Sequence, residues 1–332
     1  MESHTVSNIV LFDYSNLAHR CVASKAGLPG WQARAFEEMY DFVLDVAASN
    51  AADCTQVVVA LDSKAGYWRR DIFQPYKADR KRRRDDSVDW DEVFRQFDEF
   101  AERIARHLPW AVLRVDKCEA DDIIYALVNK HAGSSTSCYI YSSDADYLML
   151  CGEHARLYNP MRGAWASFPY DCKVNGKDFR YETPAEYKMY AILTGQAGKD
   201  NVYNIRTPTD FSGPRKPGFG VAAAAKLIAD ATDCGLYEAL QQAGLYDNYM
   251  RNRTLIDPQQ LPKGYGDAII GAYDRALPHM DDIPGFLSEI GSRMNPDEVQ
   301  DTLGTLFMGT KQEDPGFDTF ESCEPDFVEF SF

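Results

Sequence analysis

Three short apolar runs in this chain each lead into an acidic residue. Ile9-Val10-Leu11-Phe12 ends at Asp13, Val57-Val58-Val59-Ala60-Leu61 ends at Asp62, and Tyr139-Ile140-Tyr141 leads through Ser142 and Ser143 to Asp144. Runs of this length, rich in β-branched and aromatic residues, read as buried strands. Helix-like stretches separate them, so the sheet is expected to be largely parallel. Open α/β sheets bind ligands at the carboxyl ends of their strands, which brings the three carboxylates to one crevice. A lone Asp at a strand end is ordinarily a cap or turn residue; its recurrence at three ends carries the reading. Carboxylates held together repel and take up protons unless a cation neutralises them. An all-oxygen set favours Mg²⁺ or Mn²⁺ over zinc.

The chain has 332 residues and is 45% hydrophobic, enough for one large domain or two ordinary ones with a real core. No apolar run approaches the roughly 18 residues of a membrane helix. Met1-Glu2-Ser3-His4 lacks the apolar segment of a secretory signal, so no membrane partner is expected. The eight cysteines form no CxxC pair and read as reduced thiols of a cytoplasmic protein. Cys151 and His154 lack the second pair a zinc site needs. The net charge of −16 argues at first against nucleic acid, but its distribution matters more. Lys77–Arg84 holds six basic residues against one Asp, a local +5, whereas Gln312–Phe332 holds seven acids and no Lys or Arg.

Along the chain, Phe36, Met39, Tyr40, Val43 and Ala47 predict a helix over about Gln32–Ala48. Residues 64–90 are charged and aromatic with no apolar period, a long excursion from the sheet of the kind that is functional or disordered. Further helices are predicted over Val93–His107 and Ile123–His131, with a strand at Ala111–Val115. Thr183-Pro184-Ala185-Glu186 opens another helix, with Thr as cap and Glu able to close the box. The remainder reads as helices at Val221–Ala231, Tyr237–Ala243, Tyr265–Leu277 and Ile283–Ile290. The last twenty residues alternate acids with aromatics and are not expected to fold alone.

The candidate metal set is Asp13, Asp62, Glu119, Asp121, Asp122, Asp144 and Asp146. Glu119 and Asp122 share a face at a helix start; Asp144 and Asp146 share one if the chain there is extended. Mg²⁺ on such a set can activate water and hold both oxygens of an in-line displacement at phosphorus. Lys77 and Arg80 are placed to stabilise charge on a scissile phosphate, and Tyr76 to stack on a base. The cations from Arg80 to Arg84, Arg82 and Arg83 included, suit a DNA backbone; the competing reading is a solvated helix face. Gly218-Phe219-Gly220 precedes the helix at Val221, where phosphate can approach backbone N–H groups. Lys216 and Lys226 could add phosphate contacts. A Rossmann loop fits worse, because its place after the first strand holds Asp13-Tyr14-Ser15-Asn16.

Taken in order over about residues 8–230, these motifs resemble the 5′-nuclease (flap endonuclease) family. That family includes the 5′-nuclease domain of bacterial DNA polymerase I and stand-alone bacteriophage enzymes. Asp13 in FDYSN and Asp62 in ALDSK look like its first two metal aspartates. Tyr76-Lys77-Ala78-Asp79-Arg80 is similar to its Y-K-x-x-R, whose Lys and Arg act at the scissile phosphate within a helical arch. Glu119-Ala120-Asp121-Asp122 resembles E-A-D-D, and Ser143-Asp144-Ala145-Asp146 resembles x-D-x-D. Gly218-Phe219-Gly220 looks like the turn of its helix-hairpin-helix (H3TH) element, which grips duplex DNA and often holds K⁺. Asn248–Leu261 also resembles the ribonuclease H/flap-nuclease group of T4-type phages.

The resemblance implies an α/β fold with a PIN-like core over 1–180, an arch insertion at about 64–92, a helical H3TH region over 181–306 and a flexible tail over 307–332. It implies a Mg²⁺- or Mn²⁺-dependent nuclease acting on 5′ flaps of branched DNA and on RNA–DNA hybrids, in the host cytoplasm if the gene is a phage's. The chain departs from the family pattern at Gly195-Gln196-Ala197-Gly198-Lys199-Asp200-Asn201. There the family writes G-D-x-x-D-N: the first aspartate is Gln196 here, one extra residue follows, and Asp200 is left as the second-site ligand. A junction-binding protein with weakened chemistry is the alternative this departure raises; a PIN-type ribonuclease is another. The acidic, Phe-rich tail is either a solubilising end, a docking segment for a replication partner, or a cover for the basic patch.

Overall fold

The computed structural model describes residues 8–25, 30, 35, 54–80, 82, 88–107, 110–174, 176–211, 213, 217–231 and 235–276. The expected helix Gln32–Ala48 (save Ala35), the helix at Ile283–Ile290, the residues Arg83, Arg84 and Lys216, and the tail 307–332 lie outside them.

β1 (Asn8–Asp13) is buried along its whole length. It lies between β2 (Cys54–Leu61) and β4 (Ser137–Tyr141), parallel to both. β3 (Ala111–Arg114) adds beside β2 and β5 (Ala155–Asn159) beside β4, again parallel; β6 (Ala164–Trp165) closes the edge antiparallel. The order β3-β2-β1-β4-β5-β6 reverses direction at β1, the switch point at which open sheets form a crevice. Register sets the crevice floor. Phe12 pairs with Val59 and Tyr141, and Asp13 with Ala60, so Asp13 emerges level with the first residues beyond β4 and just short of Asp62.

Strand side chains alternate between two cores. Val10, Phe12, Val57, Val59 and Leu61 pack with α1 (Tyr14–Lys25) and α3 (Trp90–His107). The second of these helices offers Val93, Phe97, Phe100, Ala101 and Ile104 at helical spacing. Ile9, Leu11, Val58, Ala60, Cys138 and Ile140 pack on the opposite face with α4 (Ala120–His131). α9 (Lys263–Arg275) returns to this face through Ile269 and Tyr273. Both faces are therefore covered, as a parallel sheet requires.

A third cluster joins the hairpin β7–β8 (Tyr170–Val174, Lys177–Tyr181) to α5 (Pro184–Thr194), α6 (Val221–Asp230), α7 (Leu236–Gln242) and α8 (Tyr246–Ile256). The excursion after β2 supplies α2 (Trp68–Ile72) and buries Phe73 and Tyr76 in this cluster. Thr183 caps α5 by accepting from the Glu186 N–H at 3.1 Å. Glu186 accepts from the Glu182 N–H at 2.6 Å, one residue earlier than a capping box places it. No described helix is long and apolar enough to cross a membrane.

Candidate active site

The strand ends deliver Asp13, Asp62 and Asp144 to one place. Asp13 is 7% exposed; it accepts from Ser142 Oγ at 2.9 Å and from the Asn16 N–H at 3.2 Å. Asn16 in turn accepts from the Ser143 N–H and hydroxyl, tying the end of β4 to the start of α1. Asp62 accepts from the Ala120 N–H at 2.9 Å, at the positive end of α4. Burial, then the negative charges of Asp62 and Asp144, push Asp13 up to about 7. Among the described residues no Lys or Arg forms an ion pair with Asp13 or Asp62. Among the described residues, this pair of carboxylates therefore has no cation paired to it.

Glu119 and Asp122 stand differently. Glu119 is 1% exposed; it accepts from Arg69 Nη1 at 2.7 Å, from the Tyr76 hydroxyl at 2.9 Å, and from the Lys77 ammonium. Against the cost of burial, Lys77 and then Arg69 hold its carboxyl below the usual range, at about 2. Asp122 accepts from the Glu119 N–H at 2.9 Å and the Trp68 indole at 3.0 Å, and pairs with Arg69 at 2.8 Å. Its oxygens are committed to holding Arg69 and the start of α4. Asp121 projects from the same turn with one buried oxygen lacking any hydrogen-bond partner. Glu119, Asp121 and Asp122 each offer an oxygen within 4.8 Å of the others'.

Asp144 and Asp146 meet a cation. Asp144 caps the short 3₁₀ turn Ala145–Leu150 by accepting from the Asp146 N–H at 3.0 Å. The Lys199 ammonium donates to both carboxylates, and Gln196 Nε2 donates to Asp146 Oδ1 at 2.6 Å. Asp200, 3% exposed, pairs with Arg80 at 3.0 Å and lies 3.7 Å from the Lys77 ammonium. A cavity of about 30 Å³ opens here, lined by Arg69, Asp121, Asp146, Tyr147, Gln196 and Asp200 among others, room for one small bound species. The buried Tyr147 hydroxyl has no hydrogen-bond partner among the described residues.

The nucleic-acid candidates divide. Tyr76 is 2% exposed and gives its hydroxyl to Glu119, so its ring is not open to a base; the excursion folds inward because Phe73 and Tyr76 join an apolar cluster. Arg82 is exposed and pairs with Asp79. Gly218 and Gly220 have no atom within 4 Å of where a Cβ would lie and no left-handed backbone, leaving the turn before α6 open to a ligand. Lys226 is exposed on α6. Arg69, Tyr147 and Lys199 were not among the residues singled out from the sequence. Arg69 reads there as one charge among many, since its partners Glu119 and Asp122 are 50 and 53 residues away.

Residues 8–176 match the family described as 5′-3′ exonuclease, N-terminal resolvase-like domain. Ribonuclease H of Enterobacteria phage T4 is 29% identical over 228 residues, covering 66% of this chain and 70% of that protein. A 5′-3′ exonuclease of Mycoplasma pneumoniae is 26% identical over 211 residues, 60% of this chain and 68% of that protein. Among solved structures, the T5 5′-exonuclease with bound zinc superposes with a TM-score of 0.54 at 15% identity, over 90% of this chain and 99% of the other. The fold is thus shared with the T5 enzyme. With an acidic crevice at the switch point of this sheet and a family match running from β1 to the β7–β8 hairpin, the chain belongs to the 5′-3′ exonuclease family, a family of nucleases.

Proposed function

We propose that this protein is a divalent-metal-dependent 5′-nuclease that hydrolyses phosphodiesters in the 5′ flaps of branched DNA and in RNA primers paired to DNA. The observation that carries it is the pair Asp13 and Asp62, which no described Lys or Arg balances, in a crevice whose Glu119 and Asp200 hold the cations Lys77 and Arg80. Asp13, Asp62, Asp121 and Asp144 would hold a divalent cation, with the free lone pair of Glu119 available to it. The raised Asp13 carboxyl and the Asp121 oxygen, which accepts no hydrogen bond among the described residues and has Arg69 only at 3.9 Å, fit such an ion. When bound, Mg²⁺ or Mn²⁺ would lower the pKa of water and offset charge developing on the phosphate.

The protein's own groups then act in place. Lys77 and Arg80 put fixed positive charge beside the scissile phosphate, and the burial of Lys77 excludes the water that would screen it. Arg69 and Asp122 orient Glu119 and Lys77. The open turn Gly218–Gly220, with Lys226 and with Lys216 before it, supports a duplex backbone by sequence-independent contacts, and a K⁺ ion at that turn belongs to the same reading. Arg82, Arg83 and Arg84 would track the flap. The RNA–DNA arm rests on the name of the T4 relative. In this reading residues 1–180 carry the chemistry and 181–306 the duplex grip. The tail from 307 would meet a replication protein, in a reducing cytoplasm where the thiols persist. A junction-binding protein without chemistry is the weaker reading, because the crevice at Asp13, Asp62 and Asp144 has no role in it.

The test is a 5′-labelled flap incubated with Mg²⁺ and with chelator. Wild type should cut only with the metal. Asp144→Asn should bind the flap and leave it whole; cleavage at the wild-type rate in that variant would remove the metal assignment.

A further inference from the structure

The segment that departs from the family pattern builds a contact of its own. After α5 the chain turns at Gly195, whose φ is +68°. It closes a tight hairpin: the Gln196 N–H donates to the Val202 carbonyl at 2.7 Å, and the Asp200 N–H to the Gln196 carbonyl at 2.8 Å. The hairpin tip lays Lys199 across Asp144 and Asp146, where one ammonium donates to Oδ2 of each. Gln196 takes the remaining oxygen of Asp146 at 2.6 Å. Both oxygens of Asp146 are therefore met by nitrogen donors. An ammonium has three donors and no lone pair, and divalent cations need oxygen lone pairs free to face them.

Ion pairing separates the two ends of the crevice. Lys199 bridges Asp144 and Asp146, Arg80 pairs with Asp200, and Lys77 lies between Glu119 and Asp200. Asp13 and Asp62 form no ion pair with a described Lys or Arg. The Asp146 end already seats a cation between its two carboxylates and as it stands does not fit a second divalent ion, whereas no described Lys or Arg stands against Asp13 or Asp62, where one fits.

We propose that the Lys199 ammonium is a tethered cation standing where a second divalent ion would otherwise sit, so that this protein binds one divalent ion tightly rather than two. The inference rests on the metal-dependent reading above and specifies its stoichiometry. Lys199 neutralises and orients Asp144 and Asp146 before any metal arrives, and Gln196, a neutral amide, completes the arrangement as donor rather than as ligand.

Mn²⁺ binding to the full-length protein tests this, by calorimetry for stoichiometry and by electron paramagnetic resonance for magnetically coupled ion pairs. Wild type and Lys199→Arg should each bind one Mn²⁺ tightly and show no coupled pair. Combining Lys199→Ala with Gln196→Asp should restore a second ion, bound at least about tenfold more tightly than any second ion in wild type, with the coupled signal. Two Mn²⁺ ions in wild type within about tenfold of one another in affinity would overturn the proposal. So would a folded double variant that still binds one. The wild-type stoichiometry decides even if the double variant does not fold. A wild type that binds no Mn²⁺ would defeat the metal-dependent reading and this inference together, which distinguishes that failure from a count of two.

Discussion

Arg69 Nη1 lies 2.7 Å from Glu119 Oε2, with side-chain exposures of 5% and 2%. The same guanidinium reaches Asp122 at 2.8 Å and donates through Nε to the Leu255 carbonyl at 3.0 Å. One side chain thus ties the excursion after β2 to α4 and α8. Its charge is desolvated but surrounded by acceptors, which hold it protonated. Removing one member of a buried ionic group leaves the others uncompensated, at a cost of about 3–5 kcal/mol. Arg69→Met should lower unfolding free energy by that amount in urea titration. Arg69→Lys should recover only part, because one ammonium cannot match the planar fork. A loss below about 1 kcal/mol, the range of a surface pair, would mean the network is not structural.

Lys77 adopts φ +54°, a left-handed backbone unusual for a residue with a Cβ. The conformation is held by its N–H, which donates to the Asp200 carbonyl at 3.0 Å, and it points the ammonium inward at Glu119. Strain of this kind gathers at functional sites. Lys77→Ala should lower the single-turnover cleavage rate by about 10²-fold or more while flap affinity changes little. Lys77→Gly should be equally inactive but more stable than Lys77→Ala by about 1 kcal/mol, because glycine accepts the positive φ. A stability order with alanine above glycine would show that the backbone there relaxes.

What the sequence disclosed and what it hid follow from distance along the chain. β1, β2 and β4 were readable because continuous β-branched and aromatic runs signal strands buried on both faces. Glu119-Ala120-Asp121-Asp122 and Thr183-Pro184 were readable because capping is local. α1 was missed: Tyr14, Leu17, Ala18, Cys21 and Val22 do repeat at helical spacing, but two of the five are small and the helix follows Asp13 with no connecting residue to mark its start. β7 and β8 carry alternating charges and become strands only by pairing with each other. Tyr76 reads in the sequence as a residue to stack on a base; an apolar cluster built from α5 to α8 claims it instead. Lys199 looked like any lysine beside an aspartate, yet its partners are 55 and 53 residues away, not next door.

Gly195 permits a clean comparison of strain with crowding. Its φ is +68°, and a Cβ there would lie 2.5 Å from the Val202 carbonyl oxygen. Gly163 has φ +61° with nothing within 4 Å. Gly163→Ala should therefore cost only the left-handed penalty, about 1–2 kcal/mol. Gly195→Ala should cost clearly more, since the backbone of the hairpin must shift, and that shift should displace Lys199 and Asp200. Thermal melts of the two variants side by side make the check. Equal losses would place the whole effect in φ and none in the close approach.

Asp13 should make both stability and metal binding depend on pH, in opposite senses. Its carboxyl is raised from an ordinary 3.8 to about 7 by burial, then by Asp62 and Asp144. Between those values the folded protein holds a proton that the unfolded chain has released. The slope of unfolding free energy with pH follows protons bound unfolded minus folded, here negative, so the metal-free protein should lose stability as pH rises from about 4 to about 7. A divalent cation must displace that proton, so its affinity should rise with pH across the same window, by up to about tenfold per unit, and level off above about pH 7. Asp13→Asn has no proton to release. It should flatten the metal-free melting profile and raise its alkaline end, where wild type carries the buried charge, while weakening metal binding at every pH. Melting curves in chelator and Mn²⁺ calorimetry on either side of about pH 7 measure both slopes. A metal-free wild type whose stability instead climbs with pH through that window would show that Asp13 is already ionised and balanced by charges other than a metal's.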